Sequence, residues 1–209
     1  MISIIQAAGW PIWPLLLCSV VALALILERL WSLRAAQIAP EGLLEETLAA
    51  TSQALPNPET LEALRAHCAL GRLMADGFAT LADEPYINEN DLRASLEASG
   101  RLRIQELEKY LTPLATIASA APLLGLLGTV VGMIEIFGAQ QQGGSHNPVE
   151  LAHGISVALY NTAMGLIVAI PALMFWRYFR ARVDAFVLTL ELSGERLLRH
   201  LLLLRNQLH

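Results

Sequence analysis

Three stretches of this chain are apolar for long enough to cross a lipid bilayer, and no other property narrows its fold as far. They run over about 10–27, 113–137 and 154–176. A helix needs about 20 apolar residues to cross the hydrocarbon core, where only helices and closed barrels satisfy their own backbone. The third stretch holds no charged residue, and the prolines at 113, 122 and 171 are compatible with spanning because neighbouring helices re-satisfy the freed carbonyls. Only 16% of the residues are charged and 55% are hydrophobic, whereas soluble domains are nearer a quarter charged. The fold class predicted is an all-α integral membrane protein with three transmembrane helices and long helical extensions outside the membrane. The first run ends in ERLW and no basic stretch precedes it, so it reads as an anchor rather than a cleaved signal.

Orientation follows from the basic residues. All 14 Lys and Arg lie in 29–109 or 177–205, and the segment between the second and third spans has none. By the positive-inside rule the N-terminus and that segment face outward, while 29–110 and the tail are cytoplasmic. The expected organisation is an outward N-terminus and first span (1–28), a cytoplasmic helical region (29–110) and a second span (111–138). An outward loop (139–150), a third span (151–176) and a cytoplasmic helical tail (177–209) follow. LPNPET (55–60) and DEPYINEN (83–90) are turn signals that cut the cytoplasmic region into helices. From about Asn90 one long helix is expected to run into the second span, with Arg93, Glu97 and Arg101 four apart.

The second and third spans carry more small and polar residues than lipid requires. Ala118, Pro122, Gly125, Thr129, Gly132 and Ile136 advance by four and three, as do Gly154, Ala158, Thr162, Gly165, Ala169 and Ala172. Small faces let helices approach closely in lipid, where packing rather than the hydrophobic effect drives association. Gly125, Gly132, Ala158, Gly165 and Ala169 are the residues expected to pack. Thr129 and Thr162 either bond across helices or line a path between them, and Asn161 beside Thr162 needs a partner in mid-membrane. No Asp, Glu, Lys, Arg or His lies near the middle of any span. Glu135, near the outer end of the second, is either an interfacial carboxylate or the mouth of an ion path.

No GxSxG, HExxH, P-loop or CxxC motif occurs, and the glycines of GLLGTVVG lie inside an apolar span, where they cannot cradle a phosphate. No catalytic residue, metal site or cofactor is expected. A net charge of −5 with no basic surface gives no reason to expect nucleic acid as a partner.

The segments WPLLLCSVVALALILERLW (13–31), APLLGLLGTVVGMIEIF (121–137) and GISVALYNTAMGLIVAIPAL (154–173) resemble the three signature segments of the MotA/TolQ/ExbB proton-channel family, nearest its ExbB branch. They cover about a quarter of the chain. The resemblance implies a homopentamer whose second and third spans surround the single-span helices of an ExbD-like partner bearing a membrane aspartate. It also implies a TonB-like protein that receives the work, a place in the bacterial inner membrane, and pore-lining roles for Thr129 and Thr162. The partner would then bring the carboxylate that this chain lacks. Some relatives carry a glutamate early in the third span, where this chain has Val157. A TolQ-like role in envelope maintenance and a purely structural membrane scaffold are the alternatives.

Overall fold

The computed structural model describes residues 10–143 and 148–207; the side chains of 139–143, 148–151 and 153 are outside that description. Of the expected outward loop, 139–150, only 144–147 lie outside the described residues. Eight α-helices are described: α1 Ile12–Ser32, α2 Ala35–Ile38, α3 Leu43–Ala50, α4 Pro58–His67, α5 Ala69–Asp83, α6 Glu89–Glu108, α7 Leu111–Gly143 and α8 Pro148–Gln207. Three of them, α1, α7 and the first part of α8, hold stretches long and apolar enough to cross a membrane.

The chain divides into two compact units, Met1–Arg29 with Tyr110–Tyr178, and Leu30–Lys109 with Phe179–His209. In the first, Leu15 of α1 is buried against Ala121 of α7 and against Val168 and Ala169 of α8. The opposite face of α1 exposes Trp13, Leu17, Val20, Leu23, Leu27 and Trp31, the composition a lipid-facing surface takes. Arg29 is only 4% exposed. Its guanidinium pairs with Glu28 at 3.0 Å and lies 4.6 Å from the centre of the Tyr110 ring, which ties the end of α1 to the start of α7.

The second unit is built around α5. Met74, Phe78 and Leu81 are fully buried with Leu92 of α6 and Leu197 and Leu201 of α8; burying each such side chain contributes about 1.5–3 kcal/mol. Its helix starts are set by local chemistry. Cys68 caps α5, its sulfur accepting from the Gly71 amide at 3.2 Å, and burial raises that thiol above its ordinary value. Asn88 caps α6 by accepting from the Asp91 amide at 2.9 Å, with Glu89 and Asp91 in the first turn. Gly42 precedes α3 at φ 85°, a left-handed backbone that favours glycine.

The tail continues the third span in one helix, as the sequence suggests. The helix expected from Asn90 into the second span runs over Glu89–Gly138 with a two-residue step, α6 ending at Glu108 and α7 beginning at Leu111. Pro113 has no N–H to give to the Lys109 carbonyl, and the next bond, from the Leu114 amide to the Tyr110 carbonyl, is stretched to 3.4 Å. Lys109 keeps right-handed helical dihedrals across this step.

Candidate functional site

Within the first unit α7 and α8 run antiparallel with glycines at their closest approaches. A Cβ placed on Gly125 would stand 2.7 Å from the Asn161 carbonyl oxygen and 3.1 Å from the Thr162 Cα. One on Gly165 would stand 2.6 Å from the Ala121 carbonyl oxygen. Real Cβ atoms do not approach a backbone so closely, so both positions require glycine. At Gly132 the neighbour is the Ala158 Cβ at 3.2 Å, and at Gly154 it is the Ile136 Cδ1 at 2.6 Å, the end of a side chain that can move. A Cβ on Gly128 would stand 2.7 Å from the Asn161 Cβ. Each step toward the C-terminus of α7 thus meets a step toward the N-terminus of α8, and small residues set the register.

The polar residues divide about this seam. Thr162 donates across it to the Gly125 carbonyl at 3.3 Å. Thr129 is half-buried, and its hydroxyl returns to the Leu126 carbonyl at 2.6 Å. It opens onto a shallow groove with Val130, Met133, Ile134 and Phe137. Thr129 stands one turn beyond Gly125, so both threonines belong to one flank of the seam. Glu135 is exposed. Six residues along a helix turn the direction by about 120°, so Glu135 points away from Thr129, past Gly128 and Gly132.

Asn161, expected beside Thr162 on a path, lies within the helix pair of the single chain. It is 1% exposed, enclosed between the helices beneath Gly128, because it lies about 100° around α8 from Thr162. Ala158 and Ala169 are buried, the latter in the cluster that seats Leu15 of α1. Val157 is half-buried. Two participants escape sequence reasoning. Gly128 was visible in GLLGTVVG but lies outside the four-and-three series through Gly125. The role of α1 had no signal, because Leu15 looks like any lipid-facing leucine. Among the described residues no three His, Cys, Asp or Glu side chains come together as metal ligands would.

Among the described residues the protein is helical, with three helices apolar enough to cross a membrane and two of them joined along a glycine seam flanked by hydroxyls. Comparison with known proteins makes this specific. Residues 65–192 match the model of the MotA/TolQ/ExbB proton channel family. Biopolymer transport protein exbB1 of Vibrio cholerae is 37% identical over 80% of this chain and 73% of its own length. An ExbB-like protein of Synechocystis is 30% identical over 91% of this chain and 90% of its own. The Tol-Pal system protein TolQ of Haemophilus influenzae is 39% identical over 47% of this chain and 43% of its own. The chain belongs to the MotA/TolQ/ExbB proton channel family and stands nearest its ExbB branch.

Proposed function

We propose that this chain is the proton-channel subunit of an inner-membrane energy-transducing complex of the ExbB kind. It uses the proton motive force, with an ExbD-like single-span partner, to drive a TonB-like protein that energises outer-membrane import. The observation that carries this reading is the threonine flank: Thr129 and Thr162 stand together beside the seam, while no Asp, Glu, Lys, Arg or His lies near the middle of any span. Hydroxyls lower the cost of water and ions in an apolar layer but do not relay protons unaided, so the path needs a carboxylate from elsewhere. A partner's membrane aspartate supplies it. Each proton crossing about 100 mV then delivers about 2.3 kcal/mol.

In this reading copies of the chain form a closed ring, a pentamer, around the partner helices, with the threonine flank turned to the lumen. The N-terminus and the 139–150 loop are periplasmic, and 29–110 and 177–209 are cytoplasmic. Asn161 holds the helix pair together, and Glu135, on the other flank, lies at an interface or near the outer mouth. The test is reconstitution into liposomes with an imposed potential. The chain with its aspartate-bearing partner takes up protons, and the chain alone does not. Equal uptake by both would overturn the proposal.

A TolQ-like role is the second reading, favoured by the likeness to the Haemophilus protein. Deletion separates the two: an ExbB-like subunit loses siderophore uptake, and a TolQ-like one loses envelope integrity at division.

A further inference from the structure

We propose that the contact between α3 and the tail of α8 is an acid-released clasp, opened by protonation of His200. Thr51 closes the C-terminal end of α3 and is 4% exposed. Its hydroxyl lies 2.7 Å from the Thr47 carbonyl and 3.0 Å from Nε2 of His200. A hydroxyl has one proton, and a carbonyl can only accept, so that proton goes to Thr47. The His200 contact is therefore an Nε2–H donating to the Thr51 oxygen. The neutral Nε2–H tautomer and the imidazolium both make this bond, so protonation acts on the clasp through the charge it adds to the ring's surroundings.

The surroundings give an imidazolium little support. The His200 ring stands edge-to-face with Phe78 of α5, with centroids 6.4 Å apart, just beyond the ~6 Å reach of a useful cation–π contact. Beside Phe78, α5 contributes the buried apolar Met74 and Leu81. From α3 the nearby charged groups are Glu45 and Glu46. Glu45 is already paired with Arg196 of α8 at 2.7 Å. On α8 itself the neighbours are two cations, Arg196 one turn earlier and Arg199 beside it. Among the described residues no carboxylate lies within ion-pair distance of the His200 ring. Protonation would place a third positive charge on this stretch and a new N–H at Nδ1.

The direction with pH follows. Burial holds His200 below the ordinary histidine value of about 6.5, against the opposing bond to Thr51. The released state takes up the proton first, so the clasp is fully held above that ordinary value and weakens as pH falls below it. Glu45, held below the usual carboxylate range by its bond from Arg196, stays ionised through the same window. The change therefore originates at His200. If this unit faces the cytoplasm, as the channel reading has it, the clasp responds to acid on the side where protons arrive. The chemical step itself does not depend on that reading.

Hydrogen exchange on the full chain in nanodiscs tests it. After correction for intrinsic rates, protection of residues 43–51 should fall several-fold between about pH 7.5 and about pH 5.5, while α5 and α6 keep theirs. His200→Gln, which can still donate an N–H but does not titrate, should hold the strap equally at both. Thr51→Val should loosen it at both. Constant protection in the native chain, retained pH dependence in His200→Gln, or a parallel loss across α5 and α6 would each overturn the clasp.

Discussion

Between α7 and α8 the closest contacts are glycine against backbone, at Gly125 and Gly165. Around α5 they are Met74, Phe78 and Leu81 against the leucines of α6 and α8. Even where α5 carries a glycine among those helices, Gly77, its neighbours are the tips of Leu96, Leu197 and Leu201 side chains. The solvent explains the difference. In water a large buried side chain gains by leaving solvent, so interiors fill with leucine and phenylalanine. In lipid the surroundings are as apolar as leucine, and helices gain only from close packing and interhelical bonds, which glycine and alanine permit. The exception in the second unit is Gly71, which meets the Leu64 carbonyl at the corner where α4 passes to α5. There the turn, rather than the packing of helix faces, demands glycine.

The largest effect should come from violating the seam. Gly125→Leu or Gly165→Leu should abolish assembly, read as loss of the oligomer in mass measurements of the purified complex. A persistent oligomer would mean that the seam yields and that smallness is not what holds it. Next is the opposite kind of change in the other unit. Phe78→Ala should cost about 3–5 kcal/mol of that unit's stability, through lost burial and the cavity left behind, seen as a lower unfolding midpoint with the spans still assembled. A third comparison stays within the seam. Gly132→Ala meets only the Ala158 methyl at 3.2 Å, so its cost should be smaller than that of Gly125→Ala, which meets backbone at 2.7 Å. Thermal melts of the two variants in the same detergent rank them, and equal melting temperatures would erase the distinction between backbone and side-chain contact. The smallest effect is chemical. Cys68 is buried and its thiol is raised by that burial, so a maleimide near neutral pH should modify it only after unfolding. Rapid labelling of the native chain would show that the start of α5 is open.

What the sequence disclosed divides along the same line. The spacing by four and three picked out Gly125, Gly132, Ala158 and Gly165 because an α-helix repeats in that way wherever it stands. It did not separate residues that are neighbours in sequence but not around the helix. Asn161 and Thr162 are adjacent in sequence, and one is enclosed while the other reaches the Gly125 carbonyl. Thr129 and Glu135 share one span, but a separation of six residues puts them on different flanks. Pro113 is compatible with a span, and its consequence falls four residues earlier, at Lys109, whose carbonyl cannot take the regular helical bond from position 113. The pairing of Thr51 with His200 joins positions 149 apart and has no local signature at all.

The most direct test of the channel account is proton flux through the reconstituted complex with Thr162 altered. Thr162→Val keeps the shape and removes the hydroxyl, and Thr162→Ser restores it. The account predicts that the valine variant assembles normally with its partner but conducts protons at least tenfold more slowly, and that serine recovers most of the rate. Native flux through Thr162→Val would contradict it, leaving the hydroxyl as a brace between α7 and α8 and nothing more.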